Sequence, residues 1–161
     1  MLIHAKEVLA DQLLGNSNDQ GWYLSFEQAI EGVTEEEAFY KLHSDSHSIA
    51  QIIVHLIYWN ETWQKRYKSR DVAAVAPLKD NAESFLMKEE LTLSTLKEKL
   101  LEVLLQWQEL LDEEQLELEV KGFPVSISAK WWGVLANCTT HNAYHIGQIV
   151  YIKKYLKARY E

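Results

Sequence analysis

The sequence predicts an all-α fold, a four-helix bundle, and three observations lead there. Apolar residues recur at steps of three and four over long stretches, most plainly at Leu93, Leu96, Leu100, Val103, Trp107 and Leu110. Only two prolines and six glycines interrupt 161 residues, too few turn formers for an all-β chain. Hydrophobic residues make up 47% of the chain and include six tryptophans. That is enough to fill one core at the commonest domain size, so residues 1–161 are expected to form a single domain.

Each element has its own signals. The stretch from Ile3 to Leu14 can form a short extra N-terminal helix, which Gly15, Asn16, Ser17, Asn18 and Asp19 are expected to end. A second helical stretch runs from Trp22 to Ile30 and stops at Gly32. Thr34 with Glu37 then reads as a capping box that opens one further turn. In HSDSHSIAQ, Asp45 or Ser46 is the expected cap of a helix from Ser48 to Lys68. Its apolar positions are Ile49, Ile52, Ile53, Leu56, Trp59 and Trp63, with His55 among them. After a loop around Pro77 comes the helix from Thr92 to Leu111. Residues 116–128, LELEVKGFPVSIS, alternate in polarity about a Lys121-Gly122 turn, so a small β-hairpin or an extended loop is expected before the last helix. Ser128 is the expected cap of that helix, Ala129 to Lys157. No internal repeat, low-complexity tract or linker divides the chain, and four main antiparallel helices account for the pattern.

Charge narrows the function classes. A net charge of −8 with no basic stripe would repel a phosphate backbone, which argues against nucleic acid as a partner. No apolar run approaches the roughly 20 residues that cross a bilayer, and MLIHAKEVLADQLL lacks a signal-peptide core. A soluble, cytoplasmic protein with no membrane partner is expected. The single cysteine, Cys138, cannot form an internal disulfide, which fits a reducing compartment.

The chemistry concentrates on the last helix. Its seam reads Trp131, Val134, Cys138, His141, His145, Ile149, Ile152 and Leu156, so two histidines four apart face the core. Their Cβ atoms are expected about 5–6 Å apart, within reach of one metal ion at about 2.0–2.1 Å per bond. A lone histidine on an apolar face is ordinarily a core residue satisfied by a hydrogen bond. A pair is harder to explain that way, since each buried imidazole needs polar partners. His55, on another seam facing the same core, is the candidate third ligand. Three protein ligands leave a position open, the form of a catalytic site.

His43 and His47 are also four apart, but Ser44, Asp45 and Ser46 between them form a cap, so they read as solvated cap residues. His4 reads as a surface residue. Cys138 is either a thiol near the site or a small buried hydrophobe, the second being the ordinary case. Trp59 and Trp63, one and two turns beyond His55, could line the mouth of the site. The acidic runs at 35–37 and 113–114 read as solvated helix ends, and the chain carries no Gly-rich phosphate loop, nucleophile signature or Cys pair.

The stretch His141-Asn142-Ala143-Tyr144-His145-Ile146-Gly147-Gln148, taken with SIAQIIVHL around His55, resembles the DinB-like (YfiT-like) superfamily of metalloenzymes. The resemblance spans Trp22 to Leu156. It implies an up-down-down-up four-helix bundle with a long crossover between the second and third helices, often a homodimer. It also implies a divalent ion (zinc, nickel, iron or manganese) held by three histidines, here His55, His141 and His145. Relatives of this kind include S-transferases that use bacillithiol, mycothiol or glutathione, and metal-dependent hydrolases. The family name refers to DNA-damage inducibility in bacilli, hence a stress response. The family commonly carries histidine and arginine around the second ligand, as in HHRGQ, where this chain has Tyr144 and Ile146. Gly147 and Gln148 match the pattern; Gln148 either bonds a ligand imidazole from behind or points to solvent.

Two functions follow as expectations. The first is an enzyme whose metal activates a low-molecular-weight thiol or water against a small-molecule substrate in stress or detoxification chemistry. The second is a metal-binding or empty bundle that acts through protein contacts without turnover. An open site favours the first and a closed one the second.

Overall fold

The computed structural model describes residues 4–87, 90–124 and 127–158. Seven α-helices appear among them: α1 (Ala5–Ser17), α2 (Phe26–Ile30), α3 (Glu35–Phe39), α4 (Ile49–Ser69), α5 (Leu93–Leu110), α6 (Glu113–Leu116) and α7 (Trp131–Lys157). Two 3-10 turns, Val72–Ala74 and Asn81–Phe85, lie in the crossover between α4 and α5.

Side-chain caps fix most helix starts. Thr34 and Thr92 close the boxes that open α3 and α5. For α4 the cap is Ser48 rather than Asp45 or Ser46: its hydroxyl accepts from the Gln51 amide at 3.2 Å and Gln51 accepts from the Ser48 amide at 3.1 Å. Ser46 is occupied by a local turn with His43. The same device at Ser25 and Gln28 starts α2 at Phe26, later than expected, and leaves Trp22 outside it and fully exposed. Helix α7 begins at Trp131 after Lys130, without a side-chain cap, so Ser128 does not play that part.

Helix α1 runs on through Gly15 to Ser17, past its expected end. Asn16 is buried there because its polar atoms are satisfied. Its Nδ2 donates to the Thr139 carbonyl at 2.9 Å, and its Oδ1 accepts from the Tyr23 hydroxyl at 2.9 Å. The expected start at Ile3 lies outside the described residues, as do Val125 and Ser126 of the expected hairpin. No strand forms among the described residues, and the segment is the extended alternative. It makes isolated bridges between Glu119 and Lys130 and between Asp71 and Lys121. The Lys121 carbonyl is taken by the Val72 amide at 2.9 Å, and Pro124 has no N–H to give a ladder.

Helices α1, α4, α5 and α7 make a four-helix bundle in which α1 and α4 each pack on both α5 and α7. Asn60 meets Trp107 and Tyr67 meets Asp112, so α4 and α5 run parallel. Asn60 also bonds Asn142, and Tyr67 packs on Trp131, so α7 runs antiparallel to α4. His4 pairs with Glu113 and the Ala10 carbonyl accepts from Gln108, so α1 is antiparallel to α5. The order is up-down-down-up; the parallel α4/α5 pair replaces the wholly antiparallel arrangement that periodicity alone suggests.

Two apolar clusters are stacked along the bundle. One gathers Ile49–Leu56, Leu93–Leu104 and Ile146–Leu156 under α2 and α3; the other gathers Leu9, Tyr67, Trp107, Trp131 and Leu135 over α6. Between them lies a polar waist. There the buried stripe of α4 passes from Leu56 through Asn60 and Gln64 to Tyr67, whereas Trp59 and Trp63 are only partly buried.

Candidate metal centre

His55 comes to the waist from α4, and His141 and His145 come from α7. Each offers one ring nitrogen, and these three atoms all lie within 4.8 Å of one another. The Nε2 atoms of His55 and His141 are 3.1 Å apart. Two bonds of about 2.1 Å at a tetrahedral angle would set their nitrogens about 3.4 Å apart, so the group could hold one metal ion with little adjustment.

The proton positions support the same reading. Ser84, in the Asn81–Phe85 turn, donates its hydroxyl to the Asn81 carbonyl at 2.5 Å. Its oxygen, 2.6 Å from His55 Nδ1, is therefore the acceptor, and the His55 proton sits on Nδ1. That leaves a lone pair on Nε2, facing His141. On α7, the Gln148 side-chain oxygen lies 2.7 Å from His145 Nδ1 and accepts its proton, which again leaves Nε2 bare.

Burial holds the rings neutral. His55 is pushed down to about 3, first by desolvation and then by the neighbouring His145 and His141. His141 falls to about 4 from the same desolvation and from His145. His145 is lowered by burial, partly opposed by its bond to Gln148. At neutral pH no proton competes strongly with a metal for these nitrogens.

Aromatic rings hold the site in place. Phe85 stacks on His55, centroids 3.9 Å apart and planes 11° from parallel, and His47 stacks on the other face of Phe85 at 3.7 Å. His47 is thus exposed on one side and packed on the other, and it is not one of the three converging residues. Beneath the site, Asn60 is fully paired. It donates to the Leu56 carbonyl and to Asn142 Oδ1, both at 2.8 Å, and accepts from Trp107 at 2.9 Å and from Asn142 at 3.2 Å. This buried network ties α4, α5 and α7 at one level. It fixes the register that sets His55 opposite the α7 pair.

The histidines form part of the wall of an open cavity of about 750 Å³, with Trp59 and Trp63 also in that wall. Cys138 lines it too, but lies outside the converging group, and burial raises its thiol to about 12, so it stays protonated. Sequence patterns did not reveal Ser84, Phe85 or Asn60. A polar residue on a buried stripe was the one signal, and it applied to Asn60 alone.

A family profile described as the DinB superfamily matches residues 21–149. The chain belongs to the DinB superfamily. It shares the fold of a solved DinB-like protein, YjoA, from Bacillus subtilis. The two are 18% identical, and the match covers 91% of this chain and 90% of that one with a TM-score of 0.59. No curated protein matches the chain. Against the HHRGQ pattern of the resemblance, this DinB member leaves Tyr144 largely exposed and sinks Ile146, 2% exposed, into the core. Neither supplies the ionisable group that the pattern has at its position.

Proposed function

We propose that this DinB-superfamily protein is a metal-dependent enzyme in which His55, His141 and His145 hold one divalent ion: zinc, nickel, iron or manganese. The observation that carries the reading is the convergence of three neutral imidazoles in the wall of an open cavity. A divalent ion there supplies a Lewis acid that lowers the pKa of a water, or of a low-molecular-weight thiol such as bacillithiol, and polarises a small-molecule substrate. The chain's own residues orient and shelter: Ser84 and Gln148 keep the Nδ1 protons on the outer side, and Phe85 and Trp59 screen His55. The reaction is thiol transfer or hydrolysis in cytoplasmic stress or detoxification chemistry. The openness of the cavity favours turnover over a purely binding role.

Tyr144, Tyr151 and Tyr155, which form an exposed stripe on α7, suit a homodimer contact.

Elemental analysis of protein purified without added metal tests the reading, followed by assays of zinc-reconstituted protein with an activated ester and with a thiol plus an aryl halide. About one equivalent of divalent metal, lost in His141→Ala with helicity kept, is expected. Retention of full metal content in His141→Ala, or turnover indifferent to metal, would overturn it.

A further inference from the structure

We infer that the cavity above the three histidines takes an uncharged, largely aromatic molecule in preference to a cationic one and, when no metal is bound, to an anionic one. The metal-enzyme reading supplies the chemistry for this inference, but the binding argument stands on the cavity itself.

The walls are aromatic. Trp59, Trp63, Phe85, Phe123 and Tyr144 line the cavity, and Val134 adds an aliphatic patch. Such a surface gains most from a flat apolar ligand that stacks on it and releases water. At about 750 Å³ the space is that of a drug-sized ligand pocket.

Among the described residues no Asp, Glu, Lys or Arg lines the cavity, and its basic side chains are the three histidines. The nearby Arg66 is already engaged: its guanidinium lies over the Trp63 ring, 4.7 Å from the centroid, and it donates to the Val75 carbonyl at 3.0 Å. Besides the histidines and tryptophans, the polar residues of the wall are Asn60, Asn81, Asn137, Asn142, Tyr144 and the buried thiol Cys138, none of them a charged type at neutral pH. A cation, or an anion in the metal-free protein, would leave water without a counter-charge here, which costs free energy however well its apolar part fits. Outside the cavity, the net charge of −8 further opposes the approach of anions. In the metal-enzyme reading, the electrophile that fits this wall is a neutral aromatic compound.

Three probes with one ring system isolate charge: naphthalene-2-carboxamide, naphthalene-2-carboxylate and 2-naphthylmethylammonium. Calorimetric titration uses the full-length protein as purified and again after chelation, with helicity checked by circular dichroism. The carboxamide is expected to bind at least tenfold tighter than the ammonium in both states, and at least tenfold tighter than the carboxylate once metal is removed. The as-purified comparison with the ammonium needs no chelation and decides by itself. A smaller ratio, or no carboxamide binding, overturns the inference. Asn137→Trp, which narrows the cavity from an exposed helix position, should weaken the carboxamide at least tenfold; Val134→Phe repeats this from the buried wall. Unchanged affinity in both would put the ligand elsewhere and also overturn it. Absence of metal or turnover would defeat the enzyme reading yet leave the ranking of the probes intact, so the two failures are distinguishable.

Discussion

Ser84 Oγ stands 2.6 Å from His55 Nδ1 and 2.5 Å from the Asn81 carbonyl, so the serine takes a proton from the imidazole side and gives its own to the backbone. A hydroxyl with that carbonyl as acceptor has one role left toward the ring, and the His55 tautomer follows from it. Ser84→Ala removes the acceptor and lets the proton move to Nε2, where it competes with a metal. Zinc affinity, measured by competition with a chromophoric chelator, should fall about 10–100-fold, the range usual for such outer partners. Nitrogen-15 spectra of His55 should show mixed tautomers. Unchanged affinity with unchanged helicity would mean that Ser84 only fills space.

The Asn60 network predicts a graded response to truncation. Asn60→Ala removes the partners of Trp107 Nε1 and of both polar atoms of Asn142 in the buried waist, at about 3 kcal/mol for more than one unsatisfied group. For a chain of this length that lowers Tm by roughly 6–12 °C. Asn142→Ala should cost clearly less, because Asn60 keeps its bonds to Leu56 and Trp107. Equal losses in thermal melts would show that packing volume, rather than polar satisfaction, holds the waist together.

Gly122 predicts a strain effect in the extended segment before α7. Its φ is +86°, and a Cβ there would collide with the Asp71 carboxylate and crowd the backbone of Ala73. Gly122→Ala should destabilise by about 1–3 kcal/mol, read as a lower urea midpoint. Adding Asp71→Ala should recover part of the loss, since one of the clashing groups is then gone. A fully additive double variant would refute the steric account.

What the sequence could disclose divides along physical lines. Helix α5 was legible because its seam is unbroken and its cap adjoins it, and the α7 pair was legible because two polar rings on an apolar stripe demand a partner. On α4 the expectation that Trp59 and Trp63 could line the mouth of the site agrees with their place in the cavity wall. The apolar pattern did not mark Asn60 and Gln64 as buried, because they are polar and depend on partners far along the chain. Ser84 is 29 residues from His55 and sits in a 3-10 turn without periodicity, so no local pattern announces their contact. The parallel run of α4 and α5 rests on the path of the crossover, which hydrophobic spacing does not encode; the family resemblance supplied it.

The depressed imidazoles make a prediction with a definite sign. In the unfolded chain each takes up a proton near pH 6.5. In the fold, His55 resists until about 3 and His141 until about 4, and His145 is lowered as well. The unfolded state therefore binds more protons across this window. The stability of the metal-free protein is greatest above pH 6.5 and is lost as pH falls toward the folded values. Between pH 7 and 5.5, above the main carboxylate titrations, each fully shifted imidazole should remove about 1 kcal/mol. Urea midpoints at half-unit steps would display the slope, and replacing His55 and His141 together by Gln should flatten it. Because the same rings are already neutral at pH 7, zinc uptake there should release well under one proton per imidazole, measurable by calorimetry in buffers of different ionisation enthalpy. Release approaching three protons would mean the rings are charged before the metal arrives, and the neutral, preformed site would be refuted with it.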